Sequence, residues 1–273
     1  MICFPTAKIN IGLKVLGKRQ DGFHNIESVF YPIALSDSLE LLPAKENESL
    51  ILSTSGISIP GDLASNLCFR AYELIRKDYP IPGMRLHLHK NIPIGAGLGG
   101  GSSDAAFFIR LINDCMELGL AWGEMHHYAK QLGSDCSFFI TNRAAMVTGR
   151  GDEMEPVNLN LKGYKLVLVC PSVHISTAEA YRLIEPEDSV FALEDFVTSS
   201  PVSEWKGFLQ NDFEKSIFKI HPLLASIKQA LYDEGALYAS MTGSGAAIYG
   251  IFDEKTRMMK KFDSSFVWEG LLA

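Results

Sequence analysis

Residues 93–106 of the chain read PIGAGLGGGSSDAA. A strand pattern, with Met84, Leu86 and Leu88 on one face, precedes this stretch, and apolar residues at helical spacing follow it. Glycines let the backbone approach a ligand closely, and the first turn of a helix offers free N–H groups and the positive end of its dipole. The order strand, glycine loop, helix therefore predicts a site for the phosphates of a nucleotide.

Three known glycine-rich loop motifs do not fully match this stretch. In the P-loop a lysine follows the second glycine, but Gly101 stands at that place. The dinucleotide-binding pattern is matched formally by Gly95, Gly97 and Gly100, yet residues 122–132 predict a helix where a second strand ending in an acid is needed. The protein-kinase loop needs H-R-D and D-F-G motifs downstream, and the chain has neither. A purely structural glycine turn is the remaining alternative.

Length and composition limit the class of protein. The chain has 273 residues, of which 47% are hydrophobic and 21% charged, as expected for a globular protein of about two domains. The net charge of −7 argues against nucleic-acid binding, which needs an excess of Lys and Arg. Five scattered cysteines predict neither disulfides nor a zinc site. Without a signal-peptide core or a run of about 20 apolar residues, we expect a cytoplasmic protein that does not bind membranes.

Hydrophobic periodicity predicts the other elements. Strands are predicted at 6–16, 26–35, 38–42, 50–53, 84–88, 165–170 and 246–252, with one more ending at Met241. Helices are predicted at 66–77, 122–132, 221–234, after Ser176 and from Glu254 onwards. Ser102 and Ser103 are the expected N-cap of the helix after the glycine loop. Because strands and helices do not alternate strictly, the fold class is α+β. The polar stretch 185–200 is predicted to be a surface insertion.

Three segments, in the same order along the chain, resemble the motifs of the GHMP kinases. They are the glycine loop, the stretch PTAKIN at 5–10 and the stretch MTGSGA at 241–246. The resemblance implies a two-domain α+β GHMP kinase fold with a ribosomal-protein-S5-like N-terminal domain at 1–155 and a ferredoxin-like C-terminal domain at 156–273. It also implies that the chain uses ATP and Mg²⁺.

The same resemblance assigns the phosphates of ATP to the glycine loop and the start of the following helix. The implied ATP-binding residues are Pro93, Gly95, Ala96, Gly97, Leu98, Gly99, Gly100, Gly101, Ser102 and Ser103. Asn66 corresponds to a position that the family uses near the nucleotide. Ser103 is the implied Mg²⁺ ligand, with Asp104 as the alternative, and Gly243 and Ser244 of the third motif are assigned to the substrate.

The stretch GSDCSFF at 133–139 is similar to the family's G-A-D-V-P-F-F motif, although it differs at three positions. The aspartate of that motif is catalytic in the family, so the resemblance makes Asp135 the base and Lys8 its electrostatic partner. Asn10 lies on the same strand face as Lys8 and is expected to position the substrate. Taken alone, Asp135 would more often be a helix N-cap. A carboxylate, a lysine and Mg²⁺ are sufficient for phosphoryl transfer, which needs mainly positioning and charge neutralisation.

The stretch GKRQDGFHNIES at 17–28 resembles the D-G-Y-H segment of the GHMP kinases that phosphorylate the 2-hydroxyl of a cytidine-diphosphate polyol, 4-diphosphocytidyl-2-C-methyl-D-erythritol, in non-mevalonate isoprenoid synthesis. There an aromatic ring and a histidine hold the cytosine, which assigns this role to Phe23 and His24. A second ring corresponds to Tyr181, and Thr177 precedes it. Phe23 replaces the usual tyrosine, so stacking is kept but a hydroxyl hydrogen bond is lost. Taken alone, His24 would be a solvated turn residue.

Three alternatives stay open at this point. A GHMP kinase for homoserine or mevalonate is opposed by the match at Phe23 and His24. A nucleotide-binding regulator without catalysis is opposed by the presence of both Lys8 and Asp135. A dehydrogenase would have to bind nicotinamide. The partners implied by the resemblance are small molecules, with no nucleic acid and no membrane, and the sequence does not give the oligomeric state.

Overall fold

A computed structural model describes residues 1–44, 49–184, 186, 192–257, 261–263 and 265–272. In chain order its strands are β1 (Ile2–Cys3), β2 (Thr6–Lys18), β3 (His24–Ser36), β4 (Ser38–Pro43), β5 (Leu50–Gly56), β6 (Met84–Lys90), β7 (Ala145–Thr148), β8 (Glu153–Pro156), β9 (Tyr164–Pro171), β10 (Tyr238–Met241), β11 (Ile248–Asp253) and β12 (Ser265–Leu271). Its α-helices are α1 (Leu67–Asp78), α2 (Gly100–Met116), α3 (Trp122–Leu132), α4 (Cys136–Thr141), α5 (Thr177–Arg182), α6 (Leu193–Ser199), α7 (Glu214–Ile220) and α8 (Pro222–Asp233).

Contacts divide the chain into two compact units, each built from several stretches. The first unit comprises Met1–Ala7, Leu35–Ile94 and Gly99–Arg143. The second unit comprises Lys8–Ala34, Gly95–Leu98 and Ala144–Ala273. The glycine loop therefore supplies residues to both units.

The described residues of the first unit combine a sheet with the helices α1 to α4. The sheet has the strand order β1-β4-β6-β5, in which β5 runs parallel to β6 and the other pairs are antiparallel. On β6, Met84, Leu86 and Leu88 are buried whereas Arg85 and His89 are exposed, so the alternation in the sequence predicted which face is buried. The helices α1 to α4 pack against one another.

The second unit contains the sheet β10-β11-β9-β12 and most of the sheet β2-β3-β7-β8. In the former, every strand pair is antiparallel. The central strand β9 is buried from Leu166 to Pro171, as expected for a continuous apolar run covered on both faces. Helix α8 packs on β10 and β11 and brings Leu224 and Leu231 into the core with Val167 and Ile248.

The α+β class is confirmed, and most predicted elements are present. Helix α3 covers 122–132 as predicted, so a helix and not a strand follows α2 directly, and the dinucleotide-binding pattern is not met. None of the described helices is long and apolar enough to cross a bilayer.

Two local predictions are wrong. Residues 254–257 form a turn and coil rather than a helix, and the chain continues into β12, which pairs with β9 over its whole length. That pairing with a distant strand outweighs the local helical preference of a polar segment.

Ser102 and Ser103 do not cap α2, because the N-cap is Gly99 with φ of 70°, a left-handed conformation that serine avoids. Within 185–200, the described part holds helix α6, and residues 185 and 187–191 lie outside the described residues.

Candidate active site

The glycine loop joins the end of β6 to the start of α2. Gly95, Gly97 and Gly99 all have left-handed backbones, with φ of 69°, 77° and 70°. Every second residue of the loop therefore takes a conformation that glycine adopts without strain. Among the described residues, no side chain caps the first turn of α2, so the first N–H groups of the helix can bind an anion. The loop has the geometry expected of a phosphate site.

Within the second unit, the loop packs closely on the turn that follows β10. A Cβ atom on Gly97 would lie 2.1 Å from the carbonyl oxygen of Thr242. The hydroxyl of Thr242 lies 3.2 Å from the carbonyl oxygen of Gly97, and the N–H of Lys8 donates to the carbonyl of Leu98 at 3.0 Å. Glycine is needed at position 97 because two backbones meet there.

We expect Gly97→Ala to lower stability by about 1–3 kcal/mol and to raise the KM for ATP, because the new methyl group strains φ and displaces the backbone of Thr242. Thermal unfolding and ATP titration would measure both effects. Gly123→Ala is the matched control, since a Cβ atom at that position of α3 meets nothing within 4 Å. If Gly97→Ala behaves like Gly123→Ala, the loop does not depend on this close approach.

In the first unit, a buried ionic cluster supports the glycine loop. Lys90 Nζ donates to Asp37 Oδ2 at 2.5 Å and to Asp104 Oδ2 at 2.7 Å, and all three residues are at most 3% exposed. Asp37 Oδ1 accepts from the N–H groups of Asn91 and Ile92, at the start of the loop. Because Asp104 belongs to α2, the cluster ties the first residues of the loop to the helix that follows it.

Burial shifts the pKa values within this cluster. Loss of hydration raises the pKa of Asp104 to about 7; the charge of Lys90 opposes this rise and the charge of Asp37 adds to it. Burial lowers the pKa of Lys90, but attraction by the two carboxylates outweighs burial and the net change is upward. The lysine is therefore held in its charged form.

In the second unit, Asn10 is the centre of a buried hydrogen-bond network. Its Oδ1 accepts from Lys8 Nζ at 2.6 Å and from the N–H of Gly243 at 2.8 Å, and the hydroxyl of Thr242 lies 3.1 Å away. Its Nδ2 donates to the hydroxyl of Ser28 at 2.9 Å. The first and third sequence motifs are thus held together by one amide side chain, which fixes the ammonium group of Lys8.

The residues predicted to hold cytosine also lie in the second unit. His24 stacks on Tyr181 with ring centroids 5.2 Å apart and an interplanar angle of 20°. Phe23 is 56% exposed, and the guanidinium of Arg150 lies 5.1 Å from its ring centroid. Burial, followed by the charge of Lys18, lowers the pKa of His24, which favours the neutral ring. A neutral imidazole has one donor and one acceptor for the edge of a base.

The remaining predicted residues have the following surroundings. Thr177 and Ser244 place their hydroxyls 3.2 Å apart. In the first unit, Asn66 caps α1 by accepting from the N–H of Cys68 at 2.9 Å, so it has a structural role in addition to the one predicted. Asp135 occupies the N-cap position of α4, but its carboxylate makes no capping bond. The commonplace explanation for Asp135, a helix cap, therefore does not apply.

Two family models match the chain, the GHMP kinases N-terminal domain at residues 66–145 and the GHMP kinases C-terminal domain at residues 198–260. A protein of Parabacteroides distasonis named 4-diphosphocytidyl-2-C-methyl-D-erythritol kinase is 45% identical over 275 residues, covering 100% of both chains. The chain belongs to the GHMP kinases. A Cytophaga hutchinsonii protein with the same name as the P. distasonis one is 47% identical over 256 residues, covering 93% of each chain.

A solved structure resembles this GHMP kinase over its whole length. The crystal structure of 4-(cytidine 5'-diphospho)-2C-methyl-D-erythritol kinase matches it with a TM-score of 0.82 and 28% identity, covering 100% of this chain and 99% of the other. The family and the fold predicted from three sequence motifs are confirmed. Membership of a kinase family also implies a small-molecule phosphotransferase that uses ATP.

Sequence reasoning missed several residues that hold this GHMP kinase's predicted site in place. They include Asp37 and Lys90 beneath the loop, Ser28 beside Asn10, and Asn211, whose Nδ2 donates to the carbonyls of Met241 and Gly243 at 2.8 Å each. Asn211 forms an isolated bridge with Leu13 and precedes α7, and the only signal in the sequence was a polar residue within an otherwise mixed segment. Its partners lie 30 and 32 residues away.

Proposed function

We propose that this GHMP kinase transfers the γ-phosphoryl group of ATP to the 2-hydroxyl of 4-diphosphocytidyl-2-C-methyl-D-erythritol. The observation that carries the proposal is the loop of left-handed glycines leading into the uncapped start of α2. The relatives that share 45% and 47% of their residues with the chain bear the name of this kinase, which supports the choice of acceptor.

In this proposal, the phosphates of ATP lie on the N–H groups at Gly95–Ser103. Asp135 accepts the proton of the acceptor hydroxyl as the oxygen attacks the γ-phosphorus, and ADP leaves. Lys8 supplies positive charge near the transferred group, and Asn10 holds Lys8 and contacts the acceptor. A fixed ammonium group is effective because it needs no reorganisation when negative charge develops. The hydrogen bond from Lys8 Nζ to Asn10 Oδ1, at 2.6 Å, provides that fixation.

Mg²⁺ accompanies ATP in the proposal, and the residues at the start of α2 fit it chemically. Ser103 Oγ and Asp104 Oδ1 are buried, and neither has a hydrogen-bond partner in the part of the chain that the structure describes. Oxygen is the ligand atom that Mg²⁺ prefers, and in kinases one or two protein oxygens bind it together with the phosphates. The ion neutralises charge on the phosphates. Ser103 is the proposed ligand, and Asp104 is the alternative.

We assign the cytidine end of the acceptor to Phe23, His24 and Tyr181. The other residues assigned to the acceptor are Thr177, Gly243 and Ser244. A large exposed ring such as Phe23 offers a flat apolar surface on which a base can stack. The neutral ring of His24 can hydrogen-bond the cytosine edge. Since His24 already stacks on Tyr181, a base that enters between them must first separate the two rings.

We expect Phe23→Ala to weaken binding of cytidine diphosphate by about 1–3 kcal/mol, the scale of one base stacked on one aromatic ring. Phe23→Tyr keeps the ring and should bind nearly as wild type. Calorimetric titration with cytidine diphosphate would measure both. Phe208→Ala is the matched control, because Phe208 is a 61% exposed phenylalanine of the same unit that has no assigned role.

We expect His24→Ala to reduce the preference for cytidine over uridine diphosphate, because a site that hydrogen-bonds a base edge penalises the wrong donor pattern. Titration with both nucleotides gives the ratio. Unchanged binding of cytidine diphosphate by both Phe23→Ala and His24→Ala would overturn the acceptor assignment while leaving the kinase family untouched.

The decisive experiment for the function is ATP consumption with a panel of acceptors. The cytidine-diphosphate methylerythritol should be phosphorylated, and homoserine and mevalonate should not.

Two further proposals concern the domain boundary and the location of the protein. We propose that the boundary lies between residues 155 and 156 and that the protein is cytoplasmic. The five free cysteines suit a reducing compartment.

A further inference from the structure

The exposed ring of Phe23 is in contact with a charged side chain that neither the family motifs nor the proposed reaction uses. Phe23 is 56% exposed, and the guanidinium of Arg150 lies over its ring at 5.1 Å from the centroid. Arg150 belongs to the turn between β7 and β8, in the same unit as Phe23. Single exposed apolar side chains are normal on a protein surface, so exposure alone indicates no site. Contacts that fix an exposed ring in one place do favour a site.

The backbone of Phe23 is fixed by the segment that precedes it. The N–H of Phe23 donates to Asp21 Oδ1 at 3.1 Å, and the carbonyl of Phe23 accepts from the N–H of Arg19 at 2.8 Å. The Nε of Arg19 in turn donates to both carboxylate oxygens of Asp21, at 3.3 Å and 3.1 Å. These hydrogen bonds close a tight loop, which defines where the side chain of Phe23 leaves the backbone.

The side chain of Arg150 is also fixed by its neighbours. Its Nη2 donates to Asp152 Oδ2 at 3.2 Å, and its backbone N–H donates to Asp152 Oδ1 at 3.0 Å. The carbonyl of Gly149 accepts from the N–H of Ile26 at 2.8 Å, which ties this turn to the first residues of β3. Arg150 therefore contacts Phe23 from a turn that hydrogen bonds hold beside it.

The contact between the two side chains affects what the ring can bind. A guanidinium is planar, stays charged at all physiological pH values and stacks on the faces of aromatic rings. With Arg150 over one face of Phe23, a base can stack only on the opposite face. The contact also restricts rotation of the ring, so less conformational freedom is lost when a ligand binds to it.

We propose that Arg150 is a positioning residue of the acceptor site, which covers one face of the Phe23 ring and presents the other face to the cytosine. Asp152 holds the guanidinium in this place. The proposal rests on the proposed function, which assigns the cytidine end of the acceptor to Phe23. Arg150 acts on the base through the ring of Phe23 and not through the diphosphate, although guanidinium groups also bind phosphates well.

The binding test separates these two roles of a guanidinium by using cytidine and cytidine diphosphate as probes. In calorimetric titration of the full chain, Arg150→Ala should weaken the binding of both probes by the same factor, about 2-fold to 5-fold, the scale of a cation–π contact at an exposed site. Arg150→Lys should lose less, because lysine keeps the charge but not the planar group. A loss for cytidine diphosphate alone would mean that Arg150 binds the phosphates and would overturn the positioning role.

Arg257→Ala is the matched control for this test. Arg257 is an exposed arginine of the same unit with no assigned role, so its replacement should leave the binding of both probes as in wild type. Equal losses in Arg150→Ala and Arg257→Ala would show an effect of net charge and would overturn the proposal.

A double variant tests whether Arg150 acts through Phe23. If it does, the variant that combines Arg150→Ala with Phe23→Ala should bind cytidine no more weakly than Phe23→Ala alone, because the ring that Arg150 positions is already absent. A role of Arg150 in the general stability of the unit would instead add a separate loss. Additive losses in the double variant would therefore overturn the proposal.

The kinetic test asks whether the effect is confined to the acceptor. Arg150→Ala should raise the KM for the acceptor by the factor measured for cytidine diphosphate, with kcat and the KM for ATP unchanged. A lower kcat at saturating acceptor would contradict a role in positioning alone. If wild type phosphorylates no acceptor of the panel but the variants change cytidine binding as described, the proposed function fails and the role of Arg150 stands. If wild type binds neither cytidine nor cytidine diphosphate, the role of Arg150 is overturned as well.

Discussion

Asp135→Asn is expected to lower kcat by about 10²–10⁴-fold and to leave the binding of ATP and acceptor nearly unchanged, which is the contribution of a positioned general base. The structure favours this separation because the carboxylate of Asp135 does not cap α4, although it occupies the N-cap position. Asparagine is also a good N-cap residue, so the substitution should not destabilise the helix. The change therefore removes proton acceptance from a nearly unaltered fold.

Steady-state kinetics with the cytidine-diphosphate acceptor, together with thermal unfolding, would measure the effect of Asp135→Asn. Asp114→Asn is the matched control, since Asp114 is an exposed residue of α2 in the same unit and has no assigned role. A kcat close to that of wild type in the folded variant would remove Asp135 from the mechanism. A loss that appeared in KM alone would make it a binding residue instead.

The secondary-structure elements that could be predicted from the sequence are those that depend on the pattern of neighbouring residues. The alternation on β6, the apolar run of β9 and the helix that begins after Ser176 depend on residues at most a few positions apart, and each appears in the structure as predicted. Segment 254–272 shows the limit of local reasoning. Its polar composition favours a helix, but β12 exists because β9 offers an edge for pairing, and β9 lies about a hundred residues earlier.

In the candidate site, too, the sequence motifs could be recognised, but the contacts between residues far apart in sequence could not be predicted. The three motifs could be recognised from the sequence, so Lys8, Asn10 and the glycine loop could be named as candidate site residues. The sequence could not show why position 97 needs glycine, because the atom that a side chain there would meet is the carbonyl oxygen of Thr242, 145 residues away in sequence. The partners of Asn10 at the third motif lie 232 and 233 residues from it. No periodicity or propensity carries contacts of that range.

The buried cluster under the glycine loop leads to the largest expected change in stability. Lys90→Met should lower the free energy of unfolding by about 3–5 kcal/mol, because it leaves two carboxylates buried without their cation. For a chain of this size that corresponds to a fall in Tm on the order of 10 °C. Lys77→Met is the matched control on the exposed face of α1 and should change Tm little.

A double variant separates loss of the ion pairs from loss of packing. Adding Asp104→Leu to Lys90→Met leaves only Asp37, whose Oδ1 is already held by two backbone N–H groups. The double variant should therefore lose less stability than the sum of the two single variants. Additive losses, or a Tm for Lys90→Met equal to that of Lys77→Met, would show that the cluster does not act as an ionic unit.

The same cluster predicts how stability depends on pH. The pKa of Asp104 is raised by burial to about 7 in the folded protein, above its ordinary value in the unfolded chain. Between those two pKa values the folded protein binds more protons than the unfolded protein, so the contribution of Asp104 falls as pH rises through about 7. The raised pKa of Lys90 acts only at much higher pH. Relative to Asp104→Asn, which cannot titrate, wild type should lose Tm between about pH 5 and about pH 8. A constant difference in Tm across that range would mean that Asp104 is ionised throughout and that Lys90 alone sets its charge.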